Sequence, residues 1–544
     1  MKTKFIAFLL FLAVLGFYLF TMQPSLAWGD GMRLQREVIT AESFILAEIV
    51  DVEFPPDPFP FARLGVAAWD HPLYVMLGHG LVKGLPQLHN LWLVNLISVV
   101  FGAGTIALLF LWLFVNTRSY LASIFAALAL AVSHTFWWHS ATPEVYTLFA
   151  FLLLLTVYWF DLYEHNGRFQ HLLLASFTFG LGMANHLLAA LLLPALLLYF
   201  LLSKKSWHKF PLKFSQLVWL GLVFLLGFAP YWIQLLRMLR TFPLTEILGP
   251  AAGETFFRGS LALSPDSLLQ SLISYLIFLV YQFNPLGVLL GLYGWWVGRR
   301  SYHPLWAKAV ALYLVFLIFG LIYQVADQFA FFLSAHLLWA VAMGMGAAYL
   351  ATAVWPRHRR VLGLVLALSV AIMPLFYALA PDLLRTVGIN EVIFGVPQVG
   401  TGIRDGLAYY IDPNKRGDTA AYRFGKETLT QLPPDSVVLA EWYVDTDEYF
   451  VLRYFIAVEG LRPDVEVIGW PTEDPFSFDN NLAIAKVADK LLLRPVYLAS
   501  LSRDFYAAST LLETYCIVEE HNLYRIYLRD DEKRACLSAS AITN

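Results

Sequence analysis

Eleven apolar stretches run through this sequence, at approximately residues 5–21, 88–114, 119–134, 144–161, 170–184, 187–202, 214–236, 268–294, 305–323, 330–353 and 361–380. They leave few folds open. A bilayer core offers no water to backbone N–H and C=O groups, so a chain crosses it as helices that satisfy those groups internally, with roughly 20 apolar residues per crossing. The fifth and sixth stretches are short and parted only by Asn185 and His186, which fixes the number of crossings to within one. Composition points the same way: 14% of the residues are charged, where an ordinary soluble domain carries about a quarter. A polytopic α-helical membrane protein with about 11 transmembrane helices is the expected fold class.

Cytoplasmic loops keep Lys and Arg, so the short connections give an orientation. Lys2 and Lys4 precede the first stretch, and every second connection afterwards is basic: Arg118, then Arg168, then Lys204, Lys205, Lys209 and Lys213, then Arg299, Arg300 and Lys308, then Arg357, Arg359 and Arg360. With these and the N-terminus in the cytoplasm, the connections around 134–143, 185–186, 237–267 and 324–329 face outward. A first outer loop of about residues 22–87 and everything after residue 380 face outward with them. The expected setting is the plasma or inner membrane. Ser25, Leu26 and Ala27 resemble a signal-peptide processing site, but the apolar run before them exceeds a signal core of roughly 7–15 residues, which favours a retained span.

From residue 381 charges become frequent and long apolar runs vanish, so residues 1–380 read as a transmembrane domain and 381–544 as an extracytoplasmic α/β domain. Val437 to Ala440 and Val465 to Ile468 read as strands on either side of a helix at 446–458, a β-α-β unit. Val496 to Ala499 gives a further strand, and 515–519 with 523–528 form a hairpin turning at His521 and Asn522. Cys516 and Cys536, the two cysteines, could make one bridge in an oxidising compartment, though no spacing rule pairs them.

The sequence lacks a Gly-rich phosphate loop ending in Gly-Lys-Ser/Thr, a His-Glu-x-x-His and a Cys-x-x-Cys, so an ATP-driven pump or a zinc hydrolase lacks its parts. A net charge of −3 gives no footprint for nucleic acid. No cofactor or metal is called for.

What remains are polar residues in the outward connections. Asp30, between Gly29 and Gly31, follows the first span. A carboxylate at the membrane surface could serve as general base toward an acceptor hydroxyl; from the residues alone, a solvated turn Asp is the simpler reading. Glu37 and Glu42, with Arg33 and Arg36, read as surface charges on a short helix. His71 in Trp69-Asp70-His71-Pro72-Leu73-Tyr74 could bind a phosphate or a sugar hydroxyl, while Pro72 starts a helix. Thr142, Pro143 and Glu144 look like an N-cap, a first helical residue and an acidic partner for the helix dipole. His134 and His139, flanking Trp137 and Trp138, suit a phosphate pocket or an aromatic belt. Asn185, His186 and Asp327 are polar groups at a depth where such groups line a cavity or pair internally. Arg237 and Arg240, at the outer end of a span, are candidate cations for a lipid phosphate, with snorkelling toward headgroups as the alternative. Gly344 and Gly346 read as helix-packing contacts.

These segments resemble the protein O-mannosyltransferase-like membrane family, whose founding vertebrate member acts in the endoplasmic reticulum. The likeness rests on Ala27-Trp28-Gly29-Asp30, on His71-Pro72-Leu73-Tyr74 with Leu77-Gly78, and on Thr135-Phe136-Trp137-Trp138 leading to Glu144-Val145-Tyr146. It continues at Gly180-Leu181-Gly182 to Asn185-His186, and at Tyr454 with Glu459-Gly460-Leu461-Arg462-Pro463-Asp464-Val465. The family is similar to the GT-C superfamily, which carries an acidic residue in the first outer loop and uses polyprenyl-phosphate sugars. The resemblance implies a GT-C-like transmembrane domain, Asp30 as base, and His71, Tyr74, His134, His139, Glu144, Asn185, His186, Arg237, Arg240 and Asp327 around the substrates. Membrane lipid, a lipid-linked sugar donor and a protein or glycan acceptor are the implied partners. Two departures bear on donor and acceptor. Gly31, Met32 and Arg33 stand where the family has a small residue, Gly and Glu, and the His-Pro-Pro-Gly-Tyr-Pro-Leu-Tyr motif is shortened behind a Pro-rich loop from Phe54 to Phe61. The expected activity is inverting transfer of a sugar, with mannose one candidate, to an outer-face hydroxyl. The competing readings are a flippase or transporter of a lipid-linked saccharide and an inactive scaffold. A transporter would show internal repeats and midplane ionisable residues, and the sequence shows no repeat.

Overall fold

A computed structural model describes residues 2–43, 66–203, 212–251, 260–325, 327–390, 403–440, 447–469, 480–501, 507–529 and 535–537. The Pro-rich loop from Phe54 to Phe61 and the basic residues Lys204, Lys205 and Lys209 lie outside them. All eleven apolar stretches are helical. Among the described residues, seven helices are long and apolar enough to cross a membrane: Lys2–Thr21, Asn90–Thr117, Tyr146–Asn166, Pro265–Ser301, His303–Ile322, Leu333–Val354 and Pro356–Thr386. Two stretches are sharply bent pairs, Tyr120–Ala131 with His134–Ala141 at 62° and Phe214–Gly227 with Ala229–Met238 at 67°. The last two are the short helices Phe169–Asn185 and Leu187–Ser203, parted where His186 takes an extended backbone (φ −156°, ψ 128°).

The bent pair corrects one expectation. The connection at 134–143, read as an outward loop, is mostly the helix His134–Ala141, and every residue of that helix is buried. Thr142, read as an N-cap, instead ends it: its Oγ1 donates to the Trp138 carbonyl at 3.0 Å, and the next helix begins only at Tyr146. The helix that follows has Val145 at its N-cap position, so Thr142 stands too far before it to cap it.

The chain forms two compact units, Met1–Met22 with Glu37–Ala378 and Gln23–Arg36 with Leu379–Asn544. In the first, here the membrane unit, glycines let helix backbones touch. A Cβ on Gly294 would stand 1.8 Å from the Ala342 carbonyl oxygen and one on Gly346 2.5 Å from that of Leu290, so Pro265–Ser301 and Leu333–Tyr349 pack at a separation only small residues allow. Gly180 and Gly227 do the same for Phe169–Asn185 and Phe214–Gly227. Lys308, read as a loop cation, is a further correction. It lies inside His303–Ile322, 4% exposed, and its ammonium is ion-paired with Asp161 and with Glu164 at 2.6 Å. Tyr199 Oη donates to Glu164 at 2.6 Å and Asn116 Nδ2 to Asp161 at 3.0 Å. The apolar run admits the lysine because two carboxylates and their hydrogen bonds replace its water.

The C-terminal unit is built on a five-stranded sheet of order β2-β1-β3-β5-β4, with β1 Val437–Leu439, β2 Glu466–Ile468, β3 Val496–Leu498, β4 Cys516–Glu520 and β5 Leu523–Tyr527. The expected β-α-β unit is present: β1 and β2 are parallel, joined through the helix Asp447–Ala457. β4 and β5 form the expected hairpin, and His521 and Asn522 both have positive φ (57° and 63°), as a two-residue hairpin turn requires. Cys516 and Cys536 are joined in a disulfide. The motif from Glu459 to Val465 is a staple: Arg462 donates to the Leu429, Leu432 and Pro433 carbonyls and to Asp464, clamping the turn into β2.

Candidate functional site

Pro72 opens the helix Pro72–Gly84, as its fixed φ and missing N–H favour. The residue before it, His71, sits in the left-handed region (φ 53°, ψ 54°), a conformation costly for any residue but glycine and kept where surroundings over-determine it. The surroundings are visible. Asp70, fully buried, accepts from the Ser43 hydroxyl and, at 3.1 Å, from the Ala67 N–H, which closes the turn. His71 Nδ1 donates to the Asn185 carbonyl at 2.8 Å, and Asn185 Nδ2 donates to the Val145 carbonyl at 3.2 Å.

From that turn a row of rings runs through the membrane unit. His71 lies 5.0 Å from His186 between ring centroids, His186 5.7 Å from Tyr146, Tyr146 4.9 Å from His139, and His139 stacks on Phe329 at 5.4 Å. Phe329 continues to His134 at 6.3 Å, which packs on Tyr281 and Tyr377. Six segments far apart in sequence contribute. The tautomers differ along the row: a carbonyl only accepts, so His71 carries its proton on Nδ1, whereas His186 Nδ1 accepts the Leu188 N–H at 3.1 Å and leaves Nε2 to donate. His139 is 2% exposed, and neither of its ring nitrogens has a hydrogen-bond partner among the described residues. A buried imidazole in that condition forgoes what its nitrogens would gain in water, and a ligand hydroxyl or phosphate oxygen would restore it.

Other expected residues support the row rather than join it. Glu144 is gripped through its backbone, its N–H and carbonyl both bonded to Ser98 Oγ at 3.0 and 3.1 Å. Tyr74 is fully buried, with its hydroxyl 3.5 Å from the Val94 carbonyl. Asp327 stands immediately before Gln328–Phe331, the short helix that brings Phe329 and Phe331 to the row. Arg237 donates to Gln234 at 2.8 Å on the helix Ala229–Met238, whose Met238 sulfur receives the Ala68 N–H at 3.4 Å beside the His71 turn. Arg240 is exposed beyond that helix. Tyr146, Phe329 and Tyr377 were not singled out as site residues; Tyr146 already stood in a family-like motif, the other two carried no signal.

Asp30 belongs to the C-terminal unit. It is the second residue of the helix Gly29–Thr40, its side chain is 55% exposed, and Arg33 Nε lies 3.3 Å from its Oδ1. Arg36 and Glu37, read as surface charges, are instead 3% and 0% exposed, while Glu42 is exposed. The helix presents these two inward because its apolar residues, Met32, Leu34 and Val38, surround the same faces and all are buried. Among the described residues no group of three or more His, Cys, Asp or Glu side chains could hold a metal ion.

Residues 69–209 match the family described as the protein O-mannosyl-transferase TMEM260 N-terminal domain, the kind of protein that the motifs resemble. His71, His134, His139, Tyr146, Asn185 and His186 all fall inside that match. The fold is similar to that of ArnT from Cupriavidus metallidurans in two crystal structures. The one bound to undecaprenyl phosphate has 14% identity over 95% of this chain and 97% of that chain, with a TM-score of 0.58; the apo one has 15% identity over the same shares and a TM-score of 0.57. A weaker likeness, at 14% identity and a TM-score of 0.46 over 93% of this chain and 69% of that one, is to an oligosaccharyltransferase of Archaeoglobus fulgidus. At these identities the likeness is one of fold, that of the ArnT structures.

Proposed function

We propose that this chain, a multi-pass membrane protein of GT-C architecture, is a glycosyltransferase that moves a sugar from a polyprenyl-phosphate donor to a hydroxyl of a protein or glycan at the outer face of the membrane. One observation carries the reading: four histidines of the segment that matches an O-mannosyl-transferase family, His71, His134, His139 and His186, converge in one row of rings, where the buried His139 has hydrogen-bonding capacity to give a ligand. The undecaprenyl phosphate held by the ArnT neighbour supports a lipid-linked donor, and the family match makes mannose the first sugar to try.

The reaction follows from the parts. An acceptor hydroxyl attacks the anomeric carbon from the face opposite the lipid phosphate. The new C–O bond forms as the old one breaks, the phosphate leaves with the bonding pair, and Asp30 takes the hydroxyl proton, inverting the anomeric centre. Arg237, His71 and His186, all in the membrane unit, are assigned to the donor's phosphate, where a cation or an N–H offsets negative charge. The C-terminal unit and the first outer loop lie outside the cytoplasm in this scheme, and the disulfide between Cys516 and Cys536 fits an oxidising compartment.

The test is transfer from polyprenyl-phosphate mannose, and from the corresponding glucose and aminoarabinose donors, by the full-length protein in lipid nanodiscs. Asp30→Asn should lower the rate by about a hundred-fold or more with membrane insertion unchanged. Undiminished transfer by that variant would remove the assigned base.

A further inference from the structure

We propose that Arg404 and Phe424 of the C-terminal unit are positioning residues for Asp30, acting through the indole of Trp28. The proposal rests on the base assignment above and adds what holds that base in place.

The segment Gln23–Arg36 clusters with Leu379–Asn544, not with the helix Lys2–Thr21 that precedes it in sequence. Its shape is closed from within by two glutamines, both 0% exposed: Gln35 accepts the Ala27 N–H at 2.9 Å and donates to the Ser25 carbonyl at 3.1 Å, and Gln23 donates to the Leu26 carbonyl at 3.1 Å. The closed loop is then tied down. Gln23 Nε2 donates to the Asp418 carboxylate at 3.3 Å and Ser25 Oγ to the Asp418 carbonyl at 3.2 Å. Trp28, 4% exposed, packs on Phe424 with ring centroids 6.0 Å apart, and the Arg404 guanidinium carbon lies 5.1 Å from its ring. Arg404, 2% exposed, is itself held against Tyr409 and Tyr410 at 5.2 and 5.9 Å.

Only Gly29 separates this clasped indole from Asp30, and Gly29 has a φ of +54°. The turn that swings the chain from anchor to carboxylate is therefore one that a side chain would strain, and the helix that carries Asp30 starts at that glycine. Beyond it, Arg33 fixes the direction of the carboxylate. A general base misplaced by about 1 Å can cost a hundred-fold in rate, so an indole freed from Arg404 and Phe424 should release the base rather than the substrate.

The experiment uses the full-length protein in nanodiscs with Arg404→Met, Phe424→Ala and, as a control of equal burial in the same unit, Leu511→Ala. The expected result is a fall in kcat of between about ten- and a hundred-fold for the first two with KM for the donor unchanged, partial recovery in Arg404→Lys, and wild-type kcat per folded molecule for Leu511→Ala. Phe424→Leu serves in place of Phe424→Ala if the latter does not accumulate. A nitroxide on Asp30→Cys gives a readout independent of catalysis, since the two native cysteines are joined to each other: the label should become more mobile in the Arg404 and Phe424 variants only. An immobile label, or kcat values no lower than that of Leu511→Ala, overturns the proposal. Transfer that survives in Asp30→Asn while the label is mobile is a different result: it leaves the clasp standing and removes the base assignment, and with it the expected loss of kcat.

Discussion

The membrane unit and the C-terminal unit handle polar side chains in opposite ways. In the first, Lys308 is 4% exposed between Asp161 at 1% and Glu164 at 3%, and His139 and His336 lie buried with no hydrogen-bond partner for any ring nitrogen among the described residues. In the second, the ion pairs sit at the rim: Arg462 with Asp464, Arg494 with Asp435 and Lys490 with Glu466 are 18–68% exposed. There the Arg462 hydrogen bonds and the Asp435 N–H hold the Asp464 carboxyl well below the usual carboxylate range, yet water beside it limits what the pair adds to stability. The difference teaches where a substitution matters. In a dry bundle a buried charge needs its partners, because an unmatched one is costly; at the rim of the wet unit, partners are replaceable by solvent.

The largest expected effect tests the matched case. Lys308→Met strands two buried carboxylates and should destabilise the protein by about 3–5 kcal/mol, read as a drop in melting temperature in detergent; a change below about 1 kcal/mol would break the contrast. The unmatched case gives an effect of opposite sign. His139→Leu removes a buried ring whose nitrogens are unbonded, so it should stabilise by about 1–3 kcal/mol while transfer falls. A parallel loss of both stability and transfer would mean that the ring is only a strut. The smallest effect sharpens the comparison, because Lys415 is a buried lysine in the wet unit. It is 2% exposed, its ammonium donates to the Tyr409 and Asp412 carbonyls, and burial pushes it down to about 8, with Asp418 and Asp412 working against that fall. The unfolded chain keeps this proton up to about pH 10.4. Between about pH 8 and that value the unfolded state binds more protons than the folded one, so stability should rise with pH. Urea titrations at pH 7.5 and 9.5 would read the rise, and Lys415→Met should abolish it.

The helices were legible because the bilayer's demand is uniform: every apolar stretch lies on a helix, and even the break at Asn185 and His186 was visible as two polar residues in an apolar run. The strands were legible too, since β1 to β3 are short apolar runs and the hairpin turns on His521 and Asn522. The site was half legible. His71, His139 and His186 stood out as imidazoles in connections beside apolar stretches, but Phe329 and Tyr377 are ordinary aromatics in an aromatic-rich chain, and nothing local marks which ones face a histidine. Lys308 and Thr142 depart from local rules for different reasons: carboxylates from another helix draw Lys308 into an apolar run, whereas Thr142 closes the helix before it by bonding back one turn to Trp138.

By itself the sequence determined that this protein lives in a bilayer and that its apolar stretches become helices, because both follow from the solvent each segment must satisfy. Tertiary structure alone decided that Trp28 to Asp30 groups with residues far along the chain, that six segments share one row of rings, and that Cys516 meets Cys536. The physical reason is that burial and periodicity are written locally, whereas which buried surface meets which depends on packing the whole chain at once.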